Sequence, residues 1–119
     1  MQSPIMIVSG DKRESLDLRT LLENHGYLIT RSHSLANLGP QLRENCCRML
    51  LLDLDHLSVD NRYIRELSRQ QPKLSIIAVS SRTFHPELEE ALSSHISACL
   101  VKPVDIDELL FWLRSLSKR

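Results

Sequence analysis

Glycine is scarce in this chain: its 119 residues include only three. A glycine-rich loop that wraps backbone amides around a phosphate or pyrophosphate is thereby excluded. Cysteine is equally rare, with three residues. Cys46, Cys47 and Cys99 are an odd set without the paired spacing of a disulfide framework or a zinc site. The five histidines, His25, His33, His56, His85 and His95, stand singly. Buried small thiols and surface imidazoles are the ordinary expectation for all eight. An excess of either charge is missing too, because fifteen Lys and Arg balance fifteen Asp and Glu. A nucleic-acid footprint needs net basicity or a basic stripe, so no nucleic-acid partner is expected. No apolar run approaches the ~18 residues of a membrane span, and no signal peptide is visible at the start. These absences lead to the expectation of a cytoplasmic protein with no membrane partner.

What is present is an ordinary globular balance, 42% hydrophobic and 25% charged, at the length of a single domain over residues 1–119. Two periodicities alternate along it. Short β-rich apolar runs occur at residues 5–8, 27–30, 49–52, 75–79 and 98–101. Helical patterns fill the gaps, at about residues 12–25, 35–44, 61–70, 86–95 and 106–116. In the first, Leu18, Leu21, Leu22 and His25 share a face; Asp11 with Glu14 forms a capping-box start, and Gly26 is a fitting stop. The second is interrupted by Gly39-Pro40. The last is the clearest, with Ile106, Leu109, Leu110, Leu113 and Leu116 in one stripe after Asp105 at the N-cap. Strand and helix in alternation predict an α/β fold, an open parallel sheet with helices on both faces. The runs at 49–52 and 76–79 are apolar throughout, as strands covered on both sides should be.

Ligands and chemistry in such sheets sit at the carboxyl ends of the strands. The residues just past them are Ser9, Gly10 and Asp11 after the first, Asp53 after the third, Ser80 and Ser81 after the fourth, and Lys102-Pro103 after the fifth. With the first, third, fourth and fifth strands side by side, a carboxylate, a hydroxyl and an ammonium share one shallow pocket. An Asp that accepts a phosphoryl group needs such neighbours, the hydroxyl to donate to a phosphoryl oxygen and the ammonium to neutralise charge.

Taken in order, IMIVSGD, MLLLDLDH, IIAVSS and ACLVKP make the whole chain resemble the receiver domains of two-component response regulators. The resemblance implies a flavodoxin-like (βα)5 three-layer sandwich with sheet order 2-1-3-4-5. It implies that Asp53 is the phosphoacceptor, that Ser80 is the hydroxyl residue turning toward the phosphoryl group, and that Lys102 pairs with the carboxylate and then with phosphate. Lys102-Pro103 matches the family's cis peptide, and Asp60-Asn61 falls where the family has a turn ending in Gly. The implied partner is a histidine kinase or phosphotransfer protein. A homodimer through the fourth helix, fifth strand and fifth helix is the further implication.

One departure outweighs the matches. The family follows its first strand with two acidic residues that hold Mg²⁺ with the phosphoacceptor; here those positions are Ser9 and Gly10. Any remaining Mg²⁺ site would be weak and would use Asp53 with Asp55 or Asp11. Asp11 reads first as a helix N-cap with Glu14, ahead of metal ligand, and Asp55 could instead pair with Arg82 across the pocket mouth. Cys99 stands at the family's aromatic switch position, and Leu57 replaces a common proline. Phe111 is expected on the solvent side of the last helix, opposite its apolar stripe. Two functions follow: a working receiver phosphorylated on Asp53, or a degenerate receiver kept as a phosphorylation-independent interaction or dimerisation module. A flavodoxin-like enzyme or nucleotide binder is disfavoured, since neither a Gly-rich loop nor a nucleophile–base pair is evident.

Overall fold

The runs that are apolar at every position lie in the middle of a sheet covered on both faces. A computed structural model describes residues 3–117. In it β1 (Ile5–Val8), β2 (Ile29–Ser32), β3 (Met49–Asp53), β4 (Ser75–Ser80) and β5 (Ile96–Val101) alternate with α1 (Lys12–Glu23), α2 (Leu38–Glu44), α3 (Asn61–Gln70), α4 (Glu89–Ser94) and α5 (Ile106–Ser117). The five strands form one sheet in the order β2-β1-β3-β4-β5, and every pairing is parallel. Parallel neighbours require a crossover each time, and the helices supply it.

Side-chain alternation divides the strands between two cores. Met6, Val8, Leu50, Leu52, Ile76 and Ala78 face one way, onto Leu38 and Leu42 of α2, Ile64 and Leu67 of α3, and Ala91 of α4. Ile5, Ile7, Met49, Leu51 and Ile77 face the other, onto Leu22 of α1 and the α5 stripe of Leu109, Leu110, Leu113 and Leu116. Burying any one of these side chains contributes roughly 1.5–3 kcal/mol. No helix among the described residues is long and apolar enough to cross a membrane.

Some boundaries differ from expectation. β2 lies two residues later than its apolar run. The Gly26 amide bonds the Glu23 carbonyl and the Tyr27 amide bonds the Leu22 carbonyl, with Gly26 at φ 89°, so Tyr27 still belongs to the helix exit. Gly39 and Pro40 lie inside the first turn of α2, where a missing amide costs nothing. The fourth helical pattern splits into a 3-10 turn at Pro86–Leu88 and the short α4. Asn61 is the first residue of α3, and Asp60 caps it by accepting the Tyr63 amide. Among the described residues, the left-handed non-glycine ones are Asn37 and Cys46. Cys46 and Cys99 are exposed while Cys47 is buried, and His85 is buried against the expectation of a surface imidazole. Leu21 is exposed, off the α1 core face assigned to it.

Candidate functional site

Three strand ends bring the chemistry together. Asp53 closes β3 and pairs with Val79; Ser80 closes β4 and pairs with Val101. The next residue after β5, Lys102, donates its amide to the Ser80 carbonyl at 2.8 Å. The Lys102-Pro103 bond is cis.

Asp53 is buried, yet both carboxylate oxygens are supplied with donors. Oδ1 accepts from Lys102 Nζ at 3.0 Å and from the Asp55 amide at 3.0 Å. Oδ2 accepts from Ser9 Oγ at 3.0 Å and from His56 Nδ1 at 2.8 Å. Burial by itself would raise the Asp53 carboxyl. The Asp55 amide, His56, Lys102 and Ser9 outweigh it and hold the group below the ordinary carboxylate value, the expected result when several donors favour the ion.

Lys102 gathers carboxylates as Asp53 gathers donors. Its Nζ reaches Glu14 Oε2 at 2.8 Å, Asp53 Oδ1 at 3.0 Å and Asp55 Oδ2 at 3.0 Å. Burial pulls the ammonium downward, but these carboxylates raise it above its ordinary value. Asp55 also takes the Ser81 amide at 3.1 Å and the hydroxyls of Ser80 at 3.2 Å and Ser81 at 3.1 Å. Burial opposes ionisation of Asp55 too, yet the Ser81 amide and Lys102 bring it down to about 2. Ser80 is thus buried beside the centre, with its hydroxyl on Asp55 and not on Asp53.

The expected pairing of Asp55 with Arg82 is corrected. Arg82 donates to Glu87 Oε1 at 2.6 Å, five residues along its own loop, and Asp55 is saturated by Lys102 and the two serines. Asp11 accepts the amides of Arg13 and Glu14 and so caps α1. The reciprocal half of the capping box is absent: Glu14 turns to Lys102, and the Asp11 amide is taken by Ser9 Oγ at 3.1 Å.

His56 is the site residue the sequence reading missed. It stands three positions after Asp53, and nothing in the periodicity marks it. The Asp53 bond raises its imidazole above the ordinary value. Its backbone also explains Gly10: a Cβ there would lie 2.6 Å from the His56 carbonyl oxygen and 2.7 Å from the His56 Cβ. The loop after β3 therefore presses directly on the loop after β1.

The corner does not fit the Mg²⁺ that the resemblance implies. Residue 10 has no room for a carboxylate, Ser9 spends its hydrogen on Asp53, and Asp53 Oδ2 is occupied by His56. Asp11, Glu14 and His56 do bring one ligand atom each within 4.8 Å of one another. Each of these side chains is already engaged, on the α1 amides, Lys102 and Asp53 respectively. Beside the site, a cavity of about 320 Å³ is lined by Leu18, Leu21, Val104, Asp53 and Lys102 among others.

A parallel sheet of this order with its polar cluster on the carboxyl edge defines a flavodoxin-like fold, and more particularly the fold of response regulator receiver domains. No protein-family model matches the chain, and no curated protein does. Solved structures do. A two-component response regulator from Clostridium difficile superposes with a TM-score of 0.85 at 20% identity, covering 99% of this chain and 98% of that one. A CheY-like receiver domain protein from Methanospirillum hungatei gives 0.85 at 18%, covering 99% and 96%. A Burkholderia pseudomallei response regulator, whose structure holds a phosphorylated aspartic acid, a calcium ion and citrate, gives 0.77 at 17%, covering 92% and 65%.

Proposed function

We propose that this chain is a receiver domain in a two-component phosphorelay, accepting a phosphoryl group on Asp53 from a histidine kinase or phosphotransfer protein. The observation that carries this reading is the contact of Lys102 Nζ with Asp53 Oδ1 at 3.0 Å at the carboxyl edge of the sheet. A carboxylate kept ionised is a competent nucleophile, and an ammonium fixed on it meets the charge that develops on the entering group. In the step itself an Asp53 oxygen forms a bond to phosphorus as the donor's P–N bond breaks. The leaving imidazole keeps the electron pair and takes a proton, and an acyl phosphate remains. Lys102 would then exchange carboxylate for phosphoryl oxygen, and Ser80 could leave Asp55 to donate to the same group. The signal would pass to the face of α4, β5 and α5.

Incubation with a small phosphodonor such as acetyl phosphate or phosphoramidate tests this by intact mass. One phosphoryl increment is expected in the natural sequence and none in Asp53→Asn. Labelling that persists in the variant would remove Asp53 from the role.

A second reading is favoured by a separate observation, the saturation of Asp53 by internal donors. On it the domain is a phosphorylation-independent interaction or dimerisation module. Phe111 on α5 is 56% exposed and is offered as the contact anchor. No labelling, together with self-association that Phe111→Ser weakens in sedimentation, would decide for this reading.

A further inference from the structure

We infer that the His56 imidazole, held on Asp53 Oδ2 at 2.8 Å, fills the corner where the resembled receivers hold a divalent ion and keeps such an ion out. The inference deepens the proposed reading and rests on it in one respect, that Asp53 is the reacting carboxylate.

Three features converge on it. Asp53 has a cationic or cation-forming donor on each oxygen, Lys102 on Oδ1 and His56 on Oδ2. An incoming Mg²⁺ needs an oxygen at about 2.0–2.1 Å in a near-octahedral shell. It would first have to displace the imidazole, at a site where a second positive charge already stands. The hydroxyl of Ser9 is already engaged, within donor reach of Asp53 Oδ2 at 3.0 Å and of the Asp11 carbonyl at 3.2 Å, and it accepts the Asp11 amide at 3.1 Å. Finally, Gly10 is not simply a lost ligand. It is the residue that lets the His56 backbone approach, because any Cβ at position 10 would overlap the His56 carbonyl and Cβ. The close approach that seats residue 56 beside Asp53 therefore requires glycine at position 10.

The chemical consequence is an Asp53 whose two oxygens both already have side-chain partners within the chain. Asp53, Asp55 and Glu14 are set against Lys102 and His56. Phosphoryl acceptance would then need no added metal, and the imidazole would be the group that yields when the phosphoryl oxygens arrive.

Amide and imidazole NMR of the natural sequence, His56→Ala and His56→Gln, titrated with MgCl₂, tests the inference without relying on phosphorylation. The natural sequence should show no saturable shift at the Asp53, Leu54 and Asp55 amides. His56→Ala should show one, with an apparent affinity at least about tenfold tighter, the scale of one hydrogen bond to a charged group. His56→Gln keeps a side-chain donor for Asp53 Oδ2 and should gain less of the response than His56→Ala. A natural sequence that binds Mg²⁺ as tightly as His56→Ala overturns the inference. So does a flat response in both variants, which would lay the exclusion on Ser9 and Gly10 alone. Failure of a phosphodonor to label Asp53 would count against the acceptor reading and leave the NMR result unaffected.

Discussion

Around Asp53, donors from the end of β1, the loop after β3 and the end of β5 converge on two carboxylate oxygens. On the face built from α4, β5 and α5 the side chains turn outward instead: Cys99 and Val101 on the edge strand and Phe111 on the helix are exposed. The ladder there carries a register shift between Ile76 and Ile77, and α4 is only six residues long. The first region is held by charges paired around a buried carboxylate, whereas the charged contacts of the second, Arg65 and His95 on Glu90, lie at its surface and leave apolar side chains facing solvent. Their difference is what the proposed role asks of the two regions. A charge centre must be ordered before its occupant arrives, whereas a contact face is useful when its apolar surface is still unspent.

The largest effect that could break this contrast belongs to Lys102. Lys102→Met leaves Glu14, Asp53 and Asp55 facing one another without their shared cation. It should cost about 2–3 kcal/mol, less than the full penalty of a broken buried pair because Glu14 is part-exposed and screened. Urea unfolding measures it, and a loss under about 0.5 kcal/mol would mean that the corner is not held by charge. Next comes Gly10→Ala. Its Cβ would overlap His56, so a cost of about 1–3 kcal/mol is expected, the range of overpacked sites. The NMR shifts should centre on His56, and an undisturbed His56 would show that the two loops are not in contact.

The pH dependence sharpens the same comparison. His56 is raised above its ordinary 6.5 by Asp53. Its stabilising contribution is full below that ordinary value and is lost as pH rises through the raised one. Asp55 runs the other way: its contribution is full above the ordinary 3.8 and is lost as pH falls through about 2. In Asp53→Asn the His56 titration should drop back toward ordinary, whereas in Phe111→Ser it should stay where it is. A His56 titration indifferent to Asp53→Asn would break the pair. The smallest effect on stability is that of Phe111→Ser itself, within about 0.5 kcal/mol as for an exposed position, while any self-association weakens. A large destabilisation would show that Phe111 packs within its own fold.

Much of this was legible before any coordinates. Doubly buried strands announce themselves as unbroken apolar runs, so the positions of β1, β3 and β4 followed from the sequence, and the strand-end rule brought Asp53 and Lys102 together. The α5 stripe located the second core. What stayed hidden depends on loop geometry. His56 carries no periodic signal, and its placement on Asp53 follows from the close approach of the loop at Gly10. Arg82 has two carboxylates of suitable charge in principle, and only the path of its loop decides for Glu87 over Asp55. β2 was displaced because an edge strand reading Ile-Thr-Arg-Ser is half-buried along its whole length and offers no sharp apolar boundary.

On the proposed reading Asp53 is an acceptor whose oxygens are already partnered by side chains of the same chain. Phosphodonor labelling followed by intact mass, with Mg²⁺ on one side and a chelator on the other, tests it most directly. A single increment of equal extent in both, absent from Asp53→Asn, is the predicted result. Labelling that requires Mg²⁺, or that survives Asp53→Asn, would contradict it.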